Sequence, residues 1–307
     1  MNSLLTSVDF SDSTLSENSI SRIINSLEFS CKLAEINFSN VELKLEHVLN
    51  IFKLLTDHQL LPKIRISPHS INPCIGCLSY QKLIDSDDLP PLLNNLKSNV
   101  SIKHIEFRGL HRPNLSDILT ILEILSINKS VIFNDLHPHQ IDVKKGVFSL
   151  NPHELTEITT EMISSLKRLL QCFNIEELSF KRFRFSDEAI VVLCDLIKLN
   201  TSLTSVDFSN CRLTDDQLVL IIEALNIDSS STLLSLNFGN NSMGNKSVLA
   251  LSESLKQNSS VTKIILESNS ITDEGARTFG EALLQNSTVV EVDFRGNSVS
   301  LDSKQSI

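Results

Sequence analysis

The stretch from Leu203 to Val299 decides the fold. It contains LTSVDFSNCRL from Leu203, LLSLNFGNNSM from Leu233, VTKIILESNSI from Val261 and VVEVDFRGNSV from Val289. Positions one, four, six and eleven of each copy are apolar, and position nine is Asn or Cys. The starts lie 30, 28 and 28 residues apart. Side chains alternate along an extended segment, so Val206 and Phe208 take one side of LTSVDF while Ser205 and Asp207 take the other. After a turn, DDQLVLIIEAL spaces Leu218, Ile221, Ile222 and Leu225 on one helical face. Asp215 and Asp216 fall in the first turn of that helix, where its dipole favours negative charge.

One strand and one helix cannot cover their own apolar faces, but stacked copies can. The strands then form a parallel sheet inside a ring of helices. Asn241, Asn269 and Asn297 recur at position nine, where a buried amide is expected to bond the backbone of the adjacent turn. Cys211 fills the same slot as a small, weakly polar substitute. Written as LxxLxLxx(N/C)xL, the pattern resembles leucine-rich repeats. A period of about 28 with a full helix per unit is similar to their ribonuclease-inhibitor-like class. The resemblance implies an α/β solenoid, a horseshoe with a parallel concave β-sheet and outer helices. It also implies a scaffold that binds a protein partner through the concave face, and not an enzyme. Two families of the class, the CARMIL actin-regulatory scaffolds and the Ran GTPase-activating proteins, stand as alternatives.

Working outward, LTSVDFSDSTL begins at Leu5, LAEINFSNVEL at Leu33 and LPKIRISPHSI at Leu61, again 28 residues apart. The next start is IKHIEFRGL at Ile102. The excess length, from Ile71 to Pro91, reads as a loop because of its prolines, Gly76 and the run Asp85-Ser86-Asp87-Asp88. A degenerate fifth copy starts near Val131, and a second excess precedes the sixth, IEELSFKRFRF, at Ile175. Within that excess, IDVKKGVFSL predicts a β-hairpin turning at Lys144-Lys145-Gly146, and Pro152 predicts the opening of a helix over 154–172. The expectation is one domain of ten repeats over 1–300, with insertions near 71–91 and 137–150 and a polar tail at 301–307. A regular copy already at Leu5 leaves the stack without an end cap, a surface for end-to-end self-association.

The chain has 307 residues, enough for a large core. Its net charge of −10 argues against general nucleic-acid binding. It lacks tryptophan, and Tyr80 is its one tyrosine, so stacking platforms for bases are not expected. No apolar run reaches membrane-spanning length, and Met1-Asn2-Ser3 leads straight into a repeat without a signal peptide. The cysteines at 31, 74, 77, 172, 194 and 211 form no regular framework, which predicts reduced thiols in the cytoplasm.

Cys74-Ile75-Gly76-Cys77 has the spacing of a zinc pair, with His69, His58, His104 and His111 to complete it; loop thiols are the other reading. His137-Pro138-His139 with His153 is a second imidazole cluster that reads as a polar loop, because no carboxylate or thiolate sits at ligand spacing; metal binding is the other reading. No G-x-S-x-G, phosphate-cradling glycine loop or H-E-x-x-H occurs, so no catalytic residue, metal or cofactor is expected. Positions three, five, seven and eight of each repeat point into the hollow. The candidate partner-binding residues there are Lys63, Arg65, His104, Glu106, Arg108, Lys181, Arg182 and Asp207. Charge along these positions runs acidic, basic, then acidic or neutral. A basic centre would meet an acidic partner segment, because complementary charge fixes register and speeds encounter; a merely solvated surface is the other reading.

Overall fold

The computed structural model describes residues 7–27, 35–57, 63–66, 69–72, 77–98, 104–110, 113–128, 131–136, 139–142, 145–152, 156–160, 162–164, 166–167, 174–228 and 231–300. The chain divides into two compact units, Met1–His137 and Pro138–Ile307.

In the first unit, β1 (Ser7–Asp9), β2 (Glu35–Asn37) and β3 (Lys63–Arg65) pair in parallel. Ser7 lies opposite Glu35, and Glu35 opposite Lys63, so the 28-residue step becomes the strand register. The connecting helices are α1 (Glu17–Leu27) and α2 (Leu45–Asp57). Their inward residues, among them Ile20, Ile24, Val48 and Phe52, are buried. Phe10 and Phe38, both at position six, stack with ring centroids 5.4 Å apart.

Where a loop is expected over 71–91, the described residues form two strands, a 3-10 turn and the start of a helix instead. β4 (Ser70–Asn72) runs antiparallel to β5 (Cys77–Ile84), and α3 (Leu89–Ser98) follows a single 3-10 turn at Ser86–Asp88. β5 pairs in parallel with β6 (His104–Leu110), Cys77 opposite His104, and β6 with β7 (Val131–Asp135). Leu78, Tyr80, Ile84, Leu89 and Leu92 are buried, which is what a repeat requires and a loop does not. α4 (Leu115–Ile127) closes this part and is capped by Asn114 and Asp117, each accepting from the other's backbone N–H.

The second unit carries a seven-stranded sheet. It begins with the expected hairpin, β8 (Gln140–Asp142) antiparallel to β9 (Val147–Ser149). Gly146 turns it at φ +67, and a Cβ there would lie 2.7 Å from the Asn174 carbonyl oxygen, so the position requires glycine. β9, β11 (Glu177–Ser179), β13 (Ser205–Asp207), β14 (Ser235–Asn237), β15 (Lys263–Ile265) and β16 (Glu291–Asp293) then pair in parallel. A side pair joins β10 (Thr156–Ile158) to β12 (Phe183–Phe185). β10 overturns the helix expected from Pro152: helical residues begin only at 160, because Thr156–Ile158 finds a parallel partner in β12. α5 (Asp187–Leu199), α6 (Asp215–Leu225), α7 (Asn245–Gln257) and α8 (Asp273–Leu283) follow their strands.

The two hairpins are copies of one device. Pro68-His69-Ser70-Ile71-Asn72 and Pro138-His139-Gln140-Ile141-Asp142 are each followed by a glycine and a repeat strand at the same offset. His69 Nδ1 accepts the Gln81 N–H at 3.1 Å, and His139 Nδ1 accepts the Asn151 N–H at 3.2 Å. Both imidazoles are buried. Each excess in length is thus an antiparallel strand, pinned by a histidine, that leads into a further repeat.

Candidate functional site

The inward face of the second unit's sheet is a file of phenylalanines. Phe148, Phe180, Phe208 and Phe238 are fully buried, with successive centroids 6.0, 5.9 and 6.3 Å apart. This file fixes which way the alternate residues point. Ser205, Asp207, Ser235, Asn237, Lys263 and Ile265 are half-buried on the opposite face.

Position five closes the strand. Asp9, Asn37, Asp207, Asn237 and Asp293 each accept, through the side chain, the backbone N–H two residues on, at 2.8–3.1 Å. The backbone then passes through the left-handed region at position eight: Asp12, Asn40, Arg182, Asn210, Asn240, Ser268 and Gly296 all have φ between 55 and 70°. At position nine the expected asparagine ladder is present. Asn241 Nδ2 donates to the carbonyls of Phe208 (2.8 Å) and Phe238 (3.0 Å), while its Oδ1 accepts from the N–H groups of Cys211 and Leu213. Asn269 and Asn297 repeat this one turn further on. Cys211 keeps only the donor half, its Sγ–H meeting the Phe180 carbonyl at 3.0 Å. Burial pushes the Cys211 thiol up to about 12 and that of Cys194 up to about 11, so both are inert packing groups.

A second ladder lies on the descending side, at the Asn-x-Ser/Thr triplets that begin at Asn200, Asn258 and Asn286. Asn200, Asn258 and Asn286 each accept the N–H groups two and three residues on and donate to carbonyls of the preceding repeat. Their amides are structural partners of the turns.

The expected partner-binding residues divide between the units. In the first unit, Lys63 belongs to β3. Arg65 is exposed beside Glu35, Nε to Oε1 3.2 Å. His104, Glu106 and Arg108 alternate with buried Ile105 and Phe107 along β6, so they share its outward face. Register places Glu106 opposite Ser79 on one side and Ile132 on the other. In the second unit, Lys181 and Arg182 form the turn after β11, and the Asp207 carboxylate is engaged by the Ser209 N–H at 2.8 Å. Two cations missed by that reading, Arg184 and Arg212, are exposed at position ten of adjacent repeats. The run Lys181-Arg182-Phe183-Arg184 and a second arginine at the same repeat position were the signal.

The zinc reading finds no support in the described geometry. Cys74 lies outside the described residues, Cys77 is half-buried on β5, and His69 spends Nδ1 on Gln81 while its ring stacks on Tyr80 at 4.4 Å. His137 and His153 also lie outside the described residues. Among the described residues no three His, Cys, Asp or Glu are grouped to hold a metal, and no helix is long and apolar enough to cross a membrane.

A family model described as Leucine Rich repeat matches residues 199–217, 229–252 and 257–280, which include Cys211, Asn241 and Asn269 of the ladder. The chain is a leucine-rich-repeat protein. Solved structures similar to this leucine-rich-repeat chain include actin-binding site 2 of leiomodin-1, at 21% identity over 39% of this chain and 69% of that one, TM-score 0.34. A tropomodulin C-terminal domain from Caenorhabditis elegans is similar at 16% identity over 47% of this chain and 87% of that one, TM-score 0.38. An internalin from Listeria monocytogenes is similar at 14% identity over 94% and 87%, TM-score 0.40. No curated protein matches the leucine-rich-repeat chain.

Proposed function

We propose that this leucine-rich-repeat chain is a protein-interaction scaffold whose outward strand faces receive a partner polypeptide. The observation that carries the reading is the contrast between the two faces of one sheet. Inward positions are uniformly apolar, whereas outward positions on neighbouring strands differ: Ser205, Ser235, Lys263 and Glu291 stand in one row. A row with fixed spacing and variable chemistry, held by two asparagine ladders, supports recognition of a partner's side chains in register. In the first unit the outward face of β6, with His104, Glu106 and Arg108, has the same character. Buried thiols at Cys194 and Cys211 are compatible with the reducing cytoplasm, where we place the protein.

Affinity capture from the native cell, followed by mass spectrometry, tests the proposal. A chain carrying Ser205→Arg and Ser235→Arg should lose the partner that the unaltered chain captures, with an unchanged melting temperature. Capture of the same partner by both chains contradicts the reading.

A further inference from the structure

The second unit holds four neighbouring cations that form no ion pair among the described residues, although Glu157 lies opposite Arg184 in the strand register. Lys145, Lys246, Lys256, Lys263 and Arg295 each pair with a carboxylate at the surface. Lys181, Arg182, Arg184 and Arg212 form no such pair among the described residues, in a chain whose net charge is −10. The backbone brings them together. The Arg182 N–H donates to the Ser209 carbonyl at 3.1 Å, which sets the Lys181-Arg182 turn beside the next repeat's turn. Cys211 is tucked against Phe180, which places Arg212 next to the Phe183–Phe185 segment. Phe183 and Phe185 are buried, so Arg184 between them faces solvent.

Two of the four stand where arginine is disfavoured. Arg182 has φ +64 at a position filled elsewhere by Asp, Asn, Ser or Gly, and Arg212 has φ +54. Left-handed backbone is disfavoured for a residue with a Cβ. Packing does not repay this, because both side chains are exposed.

We propose that Arg182, Arg184 and Arg212, with Lys181, form a rim that binds a short acidic segment of a partner protein. This deepens the scaffold reading and rests on it. Adjacent repeats are about 4.8 Å apart and alternate residues of a strand about 7 Å. Four cations on two adjacent repeats therefore span only a few residues, a footprint that a short acidic peptide can fill. Guanidinium groups take carboxylates bidentately, which favours arginine over lysine here. The surrounding negative charge limits the occupant: a long polyanion would overrun the rim and meet repulsion, whereas a short acidic peptide would not.

The test uses the full chain and a fluorescent peptide of alternating Glu and Ala. Its controls are the Gln/Ala analogue and a short single-stranded oligonucleotide of equal charge. Arg184→Glu with Arg212→Glu should weaken Glu/Ala binding at low salt by roughly tenfold or more and remove most of its salt dependence. Lys246→Glu with Lys256→Glu changes net charge equally but should cost no more than about twofold. The neutral pair Arg184→Gln with Arg212→Gln repeats the measurement if the reversed chain does not fold. Equal losses in the rim and helix variants, equal binding of the Gln/Ala analogue, or tighter oligonucleotide binding through the same arginines would each overturn the proposal. The captured partner separates this from the scaffold reading. If it still binds the rim variant but not Ser205→Arg with Ser235→Arg, the rim fails and the scaffold stands.

Discussion

Replacing Asn241 by alanine probes the element that ties one repeat to the next. The side chain donates to the Phe208 and Phe238 carbonyls and accepts from the Cys211 and Leu213 N–H groups at 3.1 and 3.0 Å. Cys211 and Leu213 are both buried, so their N–H groups lose a partner that water does not replace. Each buried group left unsatisfied costs about 1–3 kcal/mol, so the two together predict a loss of roughly 2–6 kcal/mol. Asn241→Cys should cost less than alanine, because Cys211 shows that a thiol in this slot still donates to the carbonyl below. Ser242→Ala, one residue on and exposed, should change stability by no more than about 0.5 kcal/mol. Urea titration followed by circular dichroism gives all three. A loss under about 1 kcal/mol at Asn241, or an equal loss at Ser242, would refute the ladder as the link between repeats.

Phe238→Ala should cost about 3–5 kcal/mol in the same titration, since the ring is fully buried between its neighbours. Asn237→Ala should cost about 1 kcal/mol through its bond to the Gly239 N–H, and a larger loss there than at Phe238 would show the strand facing reversed. Burial, with Lys82 assisting, pushes His69 down to about 4 from an ordinary 6.5, so the folded state favours the neutral ring. Stability is therefore unaffected by this group above pH 6.5 and falls, by up to about 3 kcal/mol, as pH drops from there to about 4, because only the unfolded chain takes up the proton in that window. His69→Phe should flatten the stability of the first unit over that window, and an unchanged slope would place the imidazole in water. Cys194 and Cys211, with thiols pushed up to about 11 and about 12, should resist a thiol reagent at pH 8 until urea unfolds the chain; rapid native labelling at either would contradict their burial.

The stacking of 203–299 was legible because four copies keep the apolar file, three of them keep the asparagine while Cys211 stands in for it in the other, and the first three carry a helical face. The residues from 71 to 91 were not, because their repeat lacks those markers. Prolines, Gly76 and the Asp85–Asp88 run read as breakers, while the buried series Leu78, Tyr80 and Ile84 carries the strand. Recognition needed the parallel pairing of Cys77 with His104, a tertiary fact. The same applies to Thr156–Ile158, too short to announce itself without β12 as partner. Pro152 suits the first turn of a helix, but sequence alone did not reveal that the chain spends a strand first. For the candidate site, the outward positions followed directly from alternation. What alternation hid was the use of position five to close each turn, which engages Asp207. It also hid the arginines at position ten, which lie beyond the strand.

The central claim is that a protein partner sits on the outward strand face. Single cysteines at Ser205, Ser235, Gln257 and Thr278 test it, in a chain with Cys31, Cys74, Cys77 and Cys172 changed to serine. The first two positions lie on the strand face and the last two on helices α7 and α8. Maleimide labelling is then timed with and without the captured partner. The account predicts that the partner slows labelling at Ser205→Cys and Ser235→Cys by roughly tenfold and leaves Gln257→Cys and Thr278→Cys unchanged. Protection of the helix positions with free labelling of the strand face would contradict it.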